Sequence, residues 1–479
     1  MSTANPATYM QNVLQRQKAA NIKDGAPDAE LRIDRLNRCI ALLIKYEDKV
    51  AKALNADFGN RPEAVSGITD IAGSIGPLKH ARASLKRWMR PEKRPTTPAL
   101  LGLFGAKAEV RYQPKGVVGV ISPWNFPVNL TMAPLAGILA AGNRAMIKPS
   151  EYTPATSELM AEMFGSVFTE DEIAVFVGGP EVGQAFAELA FDHLIFTGAT
   201  GVARHVMAAA AKNLVPLTLE LGGKSPVILG RSADLGVSTA RIMAGKTMNA
   251  GQICLAPDYV LAPEDKLPAF VAEAKKAVAA MFPTIKDNPD YTAVIADRHY
   301  DRIQGYLDDA RAKGAEVVEI NPAGEDFSQQ EHRKIPPTLV LNPTPDMKVM
   351  QEEIFGPVLP VMTYRGVEEA IAYVNAHDRP LGLYYFGSDE KERETVLAHT
   401  TTGGVTVNDV IFHVAQEELP FGGVGPSGMG SYHGHDGFKE FSHRRSVYQQ
   451  LGKDLGPMKA LRPPYGPGVR KYLESQLKA

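Results

Sequence analysis

The sequence lacks the features that mark most specialised proteins. Only two cysteines, Cys39 and Cys254, occur in 479 residues. They cannot form a disulfide framework, and two isolated thiols fit a reducing compartment. A basic surplus is also missing, since 52 Lys and Arg stand against 54 Asp and Glu. A nucleic-acid binder needs such a surplus to meet phosphate charge. The longest nearly apolar stretch, around Leu130 to Gly142, contains Pro134 and Gly137. It is shorter than the ~20 residues that cross a bilayer. The first ten residues, MSTANPATYM, show neither the basic nor the apolar part of a secretory leader. No HExxH, CxxC, Walker A lysine or GxSxG occurs. His433 and His435 flank a glycine, but two histidines are too few for a metal site. These absences lead us to expect a cytoplasmic protein with no metal, no membrane and no nucleic-acid partner.

Hydrophobic residues make up 44% and charged residues 22%, which is ordinary for a folded protein and argues against disorder. The length suggests two or three domains. Apolar residues recur at helical spacing from Leu31 to Phe58, and Cys39 reads as one packed position in that helix. Proline and glycine cluster between Pro91 and Gly105, a linker or excursion from the main body. From Gly116 onward, short apolar runs (GVVGVIS, RAMIKPS, EIAVFVGG, HLIFTG, PLTLELGG) alternate with helix-like stretches. That alternation predicts βαβ units and a parallel sheet, with ligands bound outside the carboxyl ends of the strands. A second α/β region runs from about Ser225 to His413, with strands expected at PVIL, DYVLA, AEVVEI and GPVLPVMTY.

Several residues in these runs could carry chemistry. Cys254, in MNAGQICLAPDY, lies between a glycine and a proline, where a substrate can approach a thiol and backbone N–H groups can favour the thiolate. A packed, inert cysteine is the alternative. Glu220 ends the apolar run PLTLEL and precedes two glycines. A carboxyl that is partly out of water has a raised pKa, as a general base near neutrality needs. An ordinary strand-end carboxylate facing solvent reads equally well. Asn125, in PWNFP directly after a strand, could donate its amide to an oxyanion. Lys148 and Glu151, in IKPSE, could hold ribose hydroxyls, and Glu151 would repel a 2′-phosphate. FTGATG carries Gly198 and Gly201 but no full GxGxxG, so it is a weak dinucleotide signal by itself.

Taken in order, the strings PWNFP, IKPSE, FTGATG, LELGGKSP, GQICLAPDY, QEEIFGPVLP and PFGGVGPSGMGSYHG resemble those of the aldehyde dehydrogenase superfamily. They span Pro123 to Gly434, and KPSE, CLAPDY and SGMGSYHG are similar to its class 3-like branch. The resemblance implies an α/β fold: a doubly wound parallel-sheet cofactor domain, an α/β catalytic domain and a small β oligomerisation arm. We expect the cofactor domain at 1–90 and 113–221 and the catalytic domain at 222–415. The arm and C-terminal tail would take 91–112 and 416–479.

The resemblance also implies roles. Cys254 would be the nucleophile, Glu220 the base that hydrolyses the thioester, and Asn125 the oxyanion donor. Trp124, Lys148, Glu151, Thr197, Gly198, Thr200, Glu353 and Phe355 would bind NAD. Lys148 and Glu353 would hold riboses, and Phe355 would pack near the nicotinamide. Class 3-like enzymes also accept NADP. The implied substrate is a coniferyl-type aromatic aldehyde, with medium- or long-chain aliphatic aldehydes as the alternative, and the implied assembly is a homodimer. One departure stands out: where the family often reads FTGSTxxG, this chain has Ala199 and Ala203. Acyl-CoA-forming relatives typically lack a glutamate at the position of Glu220, so its presence favours water as the acyl acceptor.

Overall fold

A computed structural model of the chain describes residues 5–453, 456–459 and 461–477. The chain divides into two compact units, Met1–Trp88 with Pro114–Ser442 and Met89–Gln113 with His443–Ala479.

The larger unit holds two sheets. In the first, the strands lie in the order Gly428–Met429, Leu217–Glu220, His193–Thr197, Val117–Ile121, Arg144–Lys148, Ile173–Val175. All pairs are parallel except the short edge strand, where Gly428 pairs antiparallel with Glu220. The order of strand addition therefore reverses about Val117–Ile121: the next two strands lie on one side and the later two on the other. This is a doubly wound sheet, and the crevice at its switch point opens past Ile121 and Thr197. Val117–Ile121 is buried on both faces. A Cβ on Gly119 would lie 2.7 Å from the Phe191 ring, so that loop residue packs directly against the backbone there.

The second sheet has seven strands in the order Glu316–Glu319, Thr338–Leu341, Val358–Tyr364, Tyr259–Pro263, Pro226–Leu229, Gly382–Phe386, Gly404–Val407. Only the first pair is antiparallel. Its β-branched and aromatic strands are buried between two apolar clusters, one containing Ile228, Val340 and Tyr385 and the other Val227, Leu339 and Tyr384. Alternate residues of one strand feed opposite layers, as the period of two requires.

The smaller unit contains a three-stranded sheet, Glu92–Arg94, Lys107–Pro114 and Ser442–Gln449, and the helix Pro467–Gln476.

Two expectations need correction. The segment Leu31–Phe58 is not one helix but two, Ala29–Lys45 and Glu47–Phe58, broken at Tyr46 (φ −107°, ψ 11°). The stretch Pro91–Gly105, expected as a linker or an excursion, lies in the smaller unit and forms strand Glu92–Arg94 and helix Ala99–Leu103. Residues 416–442, expected with the arm, lie in the larger unit. There Gly428–Met429 completes the first sheet, and helix Gly434–Glu440 packs on Asn129–Ala140. The helix contact is so close that a Cβ on Gly137 would lie 3.1 Å from the Gly437 carbonyl. Among the described residues, no helix is long and apolar enough to cross a membrane.

Candidate active site

The two sheets present opposite strand ends to one cavity. Glu220 ends a strand of the first sheet, whereas Cys254 and Glu353 each lie five residues before a strand of the second. The cavity measures about 760 Å³, and Asn125, Glu220, Cys254, Glu353 and Phe355 all line it. Trp124 and the turn Thr197–Gly201 line it as well. Lys148 and Glu151 do not. They sit past the end of the neighbouring strand, with the Lys148 ammonium donating to the Pro149 carbonyl at 2.7 Å and lying 3.5 Å from the Glu151 carboxylate.

Asn125 is held from three directions. Its side-chain amide donates to the Gln252 carbonyl at 3.1 Å. Its own backbone carbonyl accepts from the Arg61 guanidinium at 2.8 Å and from the Asn249 side chain at 3.3 Å. Arg61 is fully buried and paired with Asp70 at 2.6 Å. The second Asp70 oxygen accepts the N–H groups of Val128 and Asn129 at 3.1 and 3.2 Å. Burial alone would push both partners toward neutrality, lowering Arg61 and raising Asp70, and each opposes that push on the other. The Trp124–Asn129 loop is thereby pinned from beneath.

Cys254 follows a tight turn in which Asn249 (φ 50°, ψ 33°) and Ala250 (φ 52°, ψ 34°) are both left-handed. The buried side chain of Gln252 fixes this turn by donating to the Asn249 and Ala293 carbonyls and accepting the Ile295 N–H. The thiol is half-buried. Burial, then the Glu353 and Glu220 carboxylates, push its pKa up to about 12, while the N–H groups of Cys254 and Leu255 pull the other way. Those two N–H groups face the sulfur, where negative charge on a bound oxygen would also lie.

Glu220 is buried, and neither carboxyl oxygen has a hydrogen-bond partner among the described residues. Burial first, and the Glu440 charge second, raise its pKa well above the usual range. Glu353 is raised to about 8 by burial and Asp258, against the Gly223 N–H, Lys224 and Arg302. Phe355, at φ 47°, turns its ring edge-on to Trp124 with centroids 5.3 Å apart. His299 also packs against Trp124, its ring tilted 42° with centroids 5.1 Å apart.

The residues around the Thr197–Gly201 turn suit a dinucleotide. Helix Thr200–Ala211 starts at Ala199, with no side-chain cap and no acidic residue in its first turn. Its leading N–H groups are therefore open to an anion, which a helix N-terminus favours. A Cβ on Gly201 would meet nothing within 4 Å, leaving space beside those groups. The Thr200 hydroxyl is engaged elsewhere, donating to Pro426 at 3.2 Å.

The aldehyde dehydrogenase family model matches residues 5–447. The chain belongs to that family. It is 72% identical to a probable coniferyl aldehyde dehydrogenase of Caulobacter vibrioides, over 98% of this chain and 97% of that protein. It is 53% identical to a coniferyl aldehyde dehydrogenase of a Pseudomonas species, over 98% and 96%. Among solved structures, substrate-bound AldH of Staphylococcus aureus superposes with a TM-score of 0.91 at 35% identity, over 98% of this chain and 99% of that one. A Mycobacterium tuberculosis aldehyde dehydrogenase complexed with NAD+ gives 0.83 at 28%, over 94% and 92%. The protein is an NAD(P)-dependent aldehyde dehydrogenase.

Sequence reading missed Arg61, Asp70, Gln252, Lys224, His299 and Arg302. Lys224 stands inside LELGGKSP, so its motif was visible but its contacts were not. Nothing in the local sequence ties Arg61 to Asn125, because the two meet only through tertiary contact.

Proposed function

We propose that the enzyme oxidises a coniferyl-type aromatic aldehyde to its carboxylic acid, with Cys254, Glu220 and Asn125 as the reacting set. The single observation that carries this reading is the sharing of one cavity by a thiol, an unpartnered buried carboxyl and a clamped amide. The coniferyl assignment draws its support from the names of the two relatives at 72% and 53% identity.

In this reading Cys254, as thiolate, adds to the aldehyde carbon and forms a thiohemiacetal. The Asn125 amide and the Cys254 N–H hold its oxyanion, and such a donor typically contributes roughly 3 kcal/mol to barrier lowering. When bound, the dinucleotide supplies the hydride acceptor. Cys254 then carries the acyl group as a thioester. Glu220, in its deprotonated form, takes a proton from the water that attacks this thioester, and the thiol leaves as the acid is released. The raised pKa of Glu220 suits that task near neutrality.

Glu353 and Lys148 would hold ribose hydroxyls, with Glu151 near the adenosine ribose. The uncapped helix start at Thr200 would face the pyrophosphate, with Thr197 and Gly198 in its turn, and Trp124 and Phe355 would flank the nicotinamide side. The first sheet serves as the cofactor domain and the second as the catalytic domain. The smaller unit serves as the arm of a homodimer, and the enzyme works in the cytoplasm.

A panel of cinnamyl, benzyl and aliphatic aldehydes, assayed with NAD and with NADP, tests the substrate. The reading expects the highest kcat/KM with cinnamyl aldehydes. A clear preference for long aliphatic chains overturns the coniferyl assignment. Strong acceleration by coenzyme A overturns water as the acceptor.

A further inference from the structure

Three segments that carry site residues meet at one ammonium group. The chain leaves Glu220 through Gly222 and Gly223 and reaches Lys224. The Lys224 ammonium donates to the carboxylate of Asp258, to the Val349 carbonyl at 2.8 Å and to the Glu352 carbonyl at 2.9 Å. Its three N–H donors are thus matched by three acceptors. Asp258 lies four residues past Cys254. Its other oxygen accepts the Ile354 N–H at 2.9 Å, and its backbone N–H donates to the Ser225 carbonyl at 2.9 Å.

Glu353 therefore stands between two anchored neighbours, with its preceding carbonyl on Lys224 and its following N–H on Asp258. Its buried carboxylate lies over Gly222, where any Cβ would collide with it. The next residue, Phe355, takes the left-handed φ that aims its ring at Trp124. Lys246 is fully buried in the same neighbourhood, without a hydrogen-bond partner among the described residues. It acts on Asp258 and Glu353 through charge alone, so it cannot replace the directional bonds of Lys224.

We propose that Lys224 is a positioning residue for the cofactor ribose: by tying Asp258 to the 349 and 352 carbonyls, it holds the Glu353 carboxylate in the cavity at a fixed distance from the Cys254 loop. This inference rests on the reading of Glu353 as a ribose ligand. Lys224 itself need not touch the cofactor. Its removal loosens the 349–354 segment and strands the buried Asp258 carboxylate.

The test compares full-length wild type with Lys224→Met, Lys224→Arg, Glu353→Gln and the Lys224→Met/Glu353→Gln double variant. NAD affinity is read from quenching of tryptophan emission, since Trp88 and Trp124 are the only two tryptophans and Trp124 lines the cavity. KM for NAD, kcat and the rate of Cys254 alkylation by iodoacetamide are measured beside it. Lys224→Met is expected to weaken NAD binding at least about tenfold, the loss that accompanies a broken charged hydrogen bond. kcat at saturating NAD and alkylation should stay close to wild type, and Lys224→Arg should recover most of the affinity. The double variant should bind NAD no more weakly than the weaker single variant, because both changes act on one contact. Unchanged affinity in Lys224→Met overturns the inference, as do additive losses in the double variant. A parallel fall of kcat and alkylation also overturns it, since that pattern means general disorder. If Glu353→Gln binds NAD like wild type, it is the ribose reading of Glu353 that fails, and Lys224 then has no ribose to position.

Discussion

The side-chain amide of Asn125 donates to the carbonyl oxygen of Gln252, two residues before Cys254, at 3.1 Å. This bond joins the loop after strand Val117–Ile121 to the loop that carries the Cys254 thiol. One of the two amide hydrogens is committed to it. In the proposed role the other would donate to the substrate oxygen, its direction set by the first.

Asn125→Ala should therefore lose a preorganised donor rather than a binding contact. We expect kcat/KM for aldehyde to fall about 100- to 1000-fold, the usual loss for one oxyanion donor. NAD affinity, read by tryptophan quenching, should change little. Retention of full activity would remove Asn125 from the reacting set.

Glu220→Gln should form a thioester that it cannot hydrolyse. Stopped-flow mixing with NAD and aldehyde should give a burst of NADH followed by slow turnover. In the wild type, the raised pKa of Glu220 means that the active, deprotonated base gains population as pH rises through neutrality, so a deacylation-limited rate climbs with pH. Glu440 raises that pKa through its charge. Glu440→Gln should then move the acidic limb of the kcat profile to lower pH, and a move to higher pH contradicts the assignment.

Cys254 is pushed up to about 12 by burial and two carboxylates. Alkylation of the free enzyme by iodoacetamide should rise about tenfold per pH unit, because only the thiolate reacts. A plateau already reached near neutrality would contradict the raised pKa of Cys254. Cys254→Ser should abolish NADH formation while NAD binding persists.

The Arg61–Asp70 pair makes a prediction about stability. Removing one partner leaves a buried charge uncompensated, which costs roughly 3–5 kcal/mol. Arg61→Met should lower the urea midpoint by a corresponding amount. It should also depress kcat, because the Asn125 carbonyl loses its 2.8 Å donor. A variant with native midpoint and native kcat would show that the pair does not support the loop.

Much of this site was legible because its residues sit at strand ends. Apolar runs of strand length separated by helical stretches announce βαβ units and a parallel sheet, whose double winding the family resemblance implies, and Asn125 and Glu220 lie at the ends of two of those runs. Cys254 stood in a glycine- and proline-marked loop that a substrate could approach, but only the family resemblance separated it from a packed thiol and singled out Glu353. The supports were not. Arg61 lies 64 residues before Asn125, and no local pattern encodes a contact across that separation. The break at Tyr46 was hidden for another reason: helical periodicity continues through it, and neither proline nor glycine marks the kink. In the segment 416–442, expected with the arm and C-terminal tail, nothing in the glycine-rich sequence marks the short strand and helix that form there. Those glycines allow a two-residue edge strand and a close helix crossing.

The left-handed Ala250 gives the nucleophile loop a cost that its sequence does not advertise. An alanine at φ 52° sacrifices roughly 1–2 kcal/mol relative to ordinary backbone. Ala250→Gly would recover part of that sum in the folded state. It would also free the hinge that leads into Cys254 to sample other conformers. Anyone seeking a hardier catalyst would find a tempting substitution at this position, and would risk trading the aim of the sulfur for a higher melting temperature.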